Sequence, residues 1–304
     1  MPTLNTTALA GAVGRWLTDN FVDQFVSNRA LYEFLRQKDR IKYGGAYLVA
    51  PVFGTKNSSA GGISNFYSAL TFPSDQGMGA EYSWSWYHAI TAVNPNEELV
   101  ANTKDDQANL IESKLKSSIN SIAETINTDL WSATTNSQSK IAGIPYVINS
   151  SGAYGGIDPT TYTWWKTTVN STSASLSLTK VNQGINACIT AGGKPDLIVM
   201  TSDLYAAFEN LIQPSQVITD ARMAQAGFQA IIYKGCTVLF DALVPSGNLF
   251  VLCSGDIYLA LSDKQPSVEP IPAGITPSKG YYHKIAACLG VTRRNSHYRY
   301  TALS

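Results

Sequence analysis

The 304 residues suit two modest domains of ~150 residues each, and only 14% are charged against the roughly 25% of an average globular chain. Lys plus Arg and Asp plus Glu balance at 22 each, which excludes a global basic field for gripping nucleic acid. No run reaches the ~18 apolar residues of a membrane span, Met1 to Gly14 lacks a secretory pattern, and four isolated cysteines speak against a disulfide frame or metal cluster.

Residues 13–37 predict an amphipathic helix. Val13, Trp16, Leu17, Phe21, Phe25 and Val26, then Leu31, Phe34 and Leu35, recur at three- and four-residue steps. Such a helix at a chain end packs either on another molecule or on its own domain. Tyr47 to Phe53 reads as a strand. Gly54 to Gly79 is rich in Gly and Ser. Then Tyr82, Trp84, Trp86, His88 and Ile90 alternate with Ser83, Ser85, Tyr87 and Ala89. The two strand-like runs predict a long hairpin with a glycine-rich tip of ~25 residues. A tip of that length suggests a projecting arm.

A long helix is expected next. Asn94 suits the N-cap and Pro95 the first turn. Ala108, Ile111, Leu115, Ile119, Ile122, Ile126 and Leu130 form one apolar stripe, so the helix should run to Trp131. At ~1.5 Å per residue it would span ~55 Å. Ile141 to Ile148 reads as a strand that Pro145 confines to an edge. A helix over Leu178 to Cys188 should end at Gly192-Gly193. The buried strand Asp196 to Thr201 leads to a helix capped by Ser202. Short strands are expected over 228–233, 237–241, 249–253 and 257–261, with a strand-rich stretch from Tyr281 to Leu303. The fold class is α+β, without internal repeats.

Catalytic signatures are absent: no phosphate-binding GxxxxGK[ST], no HExxH, no GxSxG and no calcium loop. His88, His283 and His297 are the only histidines. A dyad of His283 with Cys288 can be drawn, but it needs an orienting group and a cleft that the sequence does not supply. No cofactor or metal is expected. Arg293, Arg294, His297 and Arg299 cluster late. They read as a solvated strand edge, or else as a contact for an acidic partner or packaged nucleic acid. The strand with Trp84 and Trp86 carries no Lys or Arg to accompany base stacking, which favours core or interface packing.

Several blocks in order carry a resemblance. They are Ile144-Pro145-Tyr146-Val147-Ile148, the run Tyr154-Gly155-Gly156-Ile157-Asp158-Pro159-Thr160-Thr161-Tyr162-Thr163-Trp164-Trp165, Gly192-Gly193-Lys194-Pro195-Asp196-Leu197-Ile198-Val199, and Gly227-Phe228 through Gly235 with Val238 and Asp241. Together with the element order, they resemble the major capsid proteins of tailed bacteriophages, of the Hong Kong 97 type, over nearly the whole chain. Pro159 stands where that family usually has a basic residue.

The resemblance implies an N-terminal arm at 1–44 and an extended loop at 45–93 that lies over a neighbouring subunit. It implies a peripheral domain at 94–165 built on the spine helix, an axial domain at 166–262, and a return to the peripheral domain at 263–304. Trp16, Phe21, Phe25, Trp84 and Trp86 are then candidate inter-subunit contacts. So are Gln213 and Arg222 of the loop near the capsomer axis. Lys56 is the only lysine of the hairpin tip. Some relatives crosslink such a lysine to a neighbour's Asn, chemistry that also needs a placed acid and an apolar pocket. The implied function is self-assembly into hexamers and pentamers of an icosahedral head around double-stranded DNA, in the cytoplasm of a bacterial host. The implied partners are other copies, a separate scaffolding protein, a portal protein and the packaged DNA. Alternatives are an encapsulin-like compartment, a tail tube subunit and, from another class, a soluble hydrolase centred on His283.

Overall fold

The computed structural model describes residues 30–37, 41–42, 47–55, 57, 59–60, 77–95, 104–212, 218–219, 231–261, 267–271 and 279–304. In chain order these form α1 (Ala30–Gln37), β1 (Ile41–Lys42), β2 (Leu48–Phe53), β3 (Gly77–Tyr82), β4 (Ser85–Val93), α2 (Lys104–Leu130), α3 (Ile144–Val147) and β5 (Thr168–Asn170). There follow α4 (Leu178–Thr190), β6 (Leu197–Met200), α5 (Ser202–Leu211), β7 (Ile218–Thr219), β8 (Ile231–Tyr233), β9 (Cys236–Phe240), β10 (Leu249–Leu252), β11 (Ile257–Leu261), β12 (Ser267–Ile271), β13 (Lys279–Val291) and β14 (Tyr298–Tyr300).

Two sheets dominate. One has the order β5-β14-β10-β6-β9-β8-β7. The other runs β1-β11-β13-β12, with β4 on the opposite edge of β13. They do not divide the chain at residue 262. β11 pairs with β13 in the five-stranded sheet, whereas β14 crosses back to pair with β10 in the seven-stranded one.

The seven-stranded sheet is buried on both faces. Val199, Leu239, Phe250 and Leu252 share a core with α1, the end of α2 and the five-stranded sheet. Ile198, Met200, Val238 and Val251 face the other way, under Val181, Ile185 and Phe208 of α4 and α5. This period-two split lets one sheet serve two cores. Each such side chain contributes ~1.5–3 kcal/mol by leaving water.

Local sequence explains most elements. The stripe of α2 is buried at Leu115, Ile119, Ile122, Ile126 and Leu130. The described helix has 27 residues, ~40 Å, starting at Lys104, while residues 96–103 lie outside the described set. Ser177 caps α4 by accepting from Lys180 N–H. Thr201, not the expected Ser202, caps α5 by accepting from Leu204 N–H.

Two expectations are overturned. Residues 144–147 are a helical turn, not a strand. Pro145 sits in its first turn, where a missing N–H costs nothing. Gly143 before it lets the chain pass so close to Ser132 that a Cβ would lie 1.8 Å from that carbonyl oxygen. Nor is the run from Tyr82 to Ile90 one strand of a long hairpin. β2 pairs with β3, drawn from the end of the glycine-rich stretch, while β4 pairs with β13. Ser83 and Trp84, which lie between β3 and β4, reset the alternation: Tyr82 is buried, and after the break Ser85, Tyr87, Thr91 and Val93 are buried instead.

A candidate assembly surface

The five-stranded sheet turns one face to α2 and the other to solvent. On the outer face β4 presents Trp86, His88 and Ile90, paired across to Ala286, Lys284 and Tyr282 of β13. Trp86 is 53% exposed and Ile90 59%. The His88 ring stacks on Tyr282 at 5.7 Å, and Lys284 meets Glu269 of β12 at 2.6 Å. Ile271 extends the apolar row on the far side. Exposed aromatic and branched side chains in a continuous row mark an interaction surface.

The inner face is sealed. Tyr87 donates to Asp129 Oδ2 at 2.8 Å and accepts from Ile141 N–H at 3.0 Å. The Ser85 hydroxyl lies 2.6 Å from Ser137 O and 2.8 Å from Lys140 O. Thr91 Oγ1 is 2.5 Å from Ser118 Oγ and 3.3 Å from His283 Nε2. His283 is completely buried there, and burial lowers its pKa. A hydrolase centred on His283 is therefore contradicted by access: no substrate reaches a side chain sealed between β13 and α2.

The β2–β3 ribbon is a second exposed apolar surface. Tyr82 donates to Val291 O at 2.6 Å, Tyr154 donates to Leu289 O, and Glu81 N–H donates to Gly155 O at 3.1 Å. Gly54 lies against the Trp164 ring, where a Cβ would come within 2.0 Å. One ribbon face is thus fastened to the chain's own core through Ala50, Val52, Ala80 and Tyr82. The other face exposes Val49 (53%) and Phe53 (79%), with Tyr47 just before it and Glu81 paired to Val49.

The late basic cluster is split: Arg294 and His297 are buried, Arg299 is half-buried and Arg293 is exposed, and the arginines bind the chain's own oxygens. Arg294 is fully buried and donates to Val147 O (2.7 Å), Gly152 O (2.8 Å), Ser151 O (3.1 Å) and Tyr146 O (3.3 Å). Arg293 holds Gly192 O and Ala191 O at the end of α4, and Arg299 holds Pro145 O and Asn248 Oδ1. His297 is buried, accepts from Cys253 N–H at 3.1 Å, and has its pKa pushed down to about 3 by burial. All four cysteines are buried and free. Among the described residues no group of His, Cys, Asp or Glu is arranged to hold a metal, and no helix is long and apolar enough to cross a membrane.

Of the residues singled out from sequence, Trp86 is the one placed fully on the outer face. Trp84 packs half-buried against the core, next to the reset in alternation. Trp16, Phe21, Phe25, Lys56, Gln213 and Arg222 lie outside the described residues. Ile90, Val49, Phe53 and Tyr47 were missed as surface residues. Alternation was their signal, but the break at 83–84 inverted it for β4.

No curated protein matches the chain. Among solved structures, the capsid asymmetric unit of Cyanophage A-1(L) superimposes with a TM-score of 0.73 at 14% identity, covering 91% of this chain and 94% of that one. The capsid of the native GTA particle gives 0.62 at 14%, covering 89% and 90%. The holo-SrpI encapsulin complex from Synechococcus elongatus gives 0.62 at 13%, covering 100% and 97%. At these identities the likeness shows the fold, which is the Hong Kong 97-type capsid fold expected from the element order. The family described as SU10 major capsid protein matches residues 89–303. That span takes in the second half of β4, the spine helix, all of the seven-stranded sheet and most of the five-stranded one, and the chain belongs to this family of phage major capsid proteins.

Proposed function

We propose that this capsid protein assembles as hexamers and pentamers into an icosahedral head that encloses double-stranded DNA, in the cytoplasm of its bacterial host. The carrying observation is the pair of exposed apolar rows, Trp86 with Ile90 on the sheet and Tyr47, Val49 and Phe53 on the ribbon. A lone subunit leaves both rows in water. Neighbouring copies would bury them without enlarging the subunit core. In this reading 1–44 is an arm, 45–93 carries the extended loop and ends in β4, 94–165 with 263–304 is the bulk of the peripheral domain, and 166–262 the bulk of the axial domain, with β11 and β14 crossing between the two sheets. Trp16, Phe21, Phe25, Lys56, Trp84, Gln213 and Arg222 would add contacts. A separate scaffolding protein and a portal would complete the head. The role is mechanical, with no catalytic step.

Electron microscopy of the chain expressed alone and with its genomic neighbours tests this. Closed shells of uniform size built on six- and five-fold rings are expected. A monodisperse monomer at every concentration would end the reading. The fold shared with an encapsulin favours a second reading, a compartment for a protein cargo. Particle contents separate the two: nuclease-protected DNA supports the head, and a co-purifying enzyme supports the compartment.

A further inference from the structure

Arg294 is a fully buried cation, and among the described residues all of its bonds go to carbonyl oxygens. Those carbonyls belong to one loop, residues 146–152, and none of the ion pairs among the described residues includes the guanidinium. A buried charge without a counter-anion is costly, and burial lowers the Arg294 pKa accordingly.

The same loop holds a side-chain amide against its own backbone. Ser150 N–H donates to Oδ1 of Asn149, the residue just before it, at 2.7 Å. Cγ of Asn149 sits one C=O bond behind that oxygen, which puts it ~3–3.5 Å from the Ser150 nitrogen, the spacing of a near-attack arrangement. Both residues are half-buried, so water reaches them.

The chain has six Asn–Ser steps and no Asn–Gly step. Asn57 and Asn170 turn Oδ1 to the amide two residues on, at 2.9 Å in each case. Asn136 is pinned by Ser85 on Oδ1 and by Ser83 O on Nδ2. Asn120 lies inside α2, and Asn295 inside the single helical turn Arg294–Ser296. Among the described residues, Asn149 is the one Asn–Ser step whose Oδ1 accepts from its own following amide.

We propose that Asn149 is a site of spontaneous deamidation, and that the carboxylate so formed supplies the counter-charge that buried Arg294 lacks. The Ser150 nitrogen gives its proton to hydroxide and its electron pair attacks Asn149 Cγ. The Cγ–Nδ2 bond breaks, Nδ2 takes up a proton from water, and ammonia leaves a five-membered succinimide. Water then adds to one of the two ring carbonyls and opens the ring to aspartate or isoaspartate. No oxidant or cofactor enters. The cation within the loop favours the amide anion that attacks and the carboxylate that results. The step needs one folded chain and stands apart from the shell reading.

Peptide mapping of the full chain, aged in buffer at pH 7.4 and 37 °C either folded or in urea, tests the proposal. The mass change from amide to acid is expected at Asn149 at least about tenfold faster than at the other five Asn–Ser steps of the folded protein. Folding should accelerate Asn149 and slow the others. No conversion at Asn149, or conversion slower in the folded chain than in urea, overturns the site. Urea midpoints of freshly purified variants test the counter-charge. Asn149→Asp should lie above wild type, while Asn149→Ser, which removes the amide without adding charge, should not. An Asn149→Asp midpoint at or below wild type, or a variant that fails to fold, overturns the pairing with Arg294. An equal gain in both variants also overturns it, because relief of the strained amide would then be the cause.

Discussion

Arg294 ties separate stretches of this fold together from a fully buried position. Its buried guanidinium joins β14's approach to α3 and to the loop at 151–152 through four carbonyl oxygens. Arg294→Met removes every donor at once, so a loss on the order of 3 kcal/mol or more is expected in urea denaturation. Arg294→Lys should recover little, because a compact ammonium cannot fan out to four acceptors. A loss under about 1 kcal/mol for the methionine variant would show that water replaces the guanidinium. Gly143→Ala is the backbone counterpart: its Cβ would strike Ser132 O at 1.8 Å, and the α2–α3 connection would have to shift. The sequence displayed these residues without their roles. A cluster of arginines looks the same whether its partners are water, phosphate or its own carbonyls, and only the loop path from 146 to 152 decides it.

Elements with a long period were readable from sequence, and those defined by a break were not. Seven apolar positions at helical steps specify α2 redundantly, so single exceptions do not obscure it. β4 depends on where alternation restarts, and the two residues at 83–84 between the strands invert which side chains are buried. β3, with Gly77, Gly79 and Ala80, has little intrinsic strand preference and is fixed by its partner β2. The inverted faces lead to opposite expectations for neighbouring residues. Trp86→Ser with Ile90→Ser, on the outer face, should leave the subunit's Tm within a few degrees and reduce shell yield at least tenfold by sedimentation. Tyr87→Phe, on the inner face, should leave shells intact. It should cost about 1–2 kcal/mol, because Asp129 Oδ2 and Ile141 N–H lose a buried partner. Identical yields for the two variants would mean that the faces are assigned wrongly.

Across the whole molecule, the two sheets are locked by groups that burial keeps neutral, which makes the subunit sensitive to acid. His297 joins the end of β10 to the start of β14, with its pKa pushed down to about 3 by burial; Asp196 pulls it up and Arg293 down, both more weakly. His283 is lowered by the same cause between β13 and α2. In the unfolded chain both imidazoles titrate near ~6.5. The unfolded state therefore binds more protons as pH falls through that value, and the native state is penalised. The stability these two groups hold is complete above ~6.5 and drains as pH falls toward the folded pKa values. For His297 the loss between pH 7 and pH 5 is about 2 kcal/mol. Asp241 works in the opposite sense. Burial raises its carboxyl pKa, so the strain of keeping it ionised is relieved in acid and offsets part of the loss. Urea midpoints of wild type and His297→Asn at pH 7 and pH 5 separate these contributions. Asparagine can still accept from Cys253 N–H but takes no proton, so the variant should be weaker at pH 7 yet lose about 2 kcal/mol less on acidification. Parallel losses in the two proteins would place the acid-sensitive lock elsewhere than the β10–β14 junction.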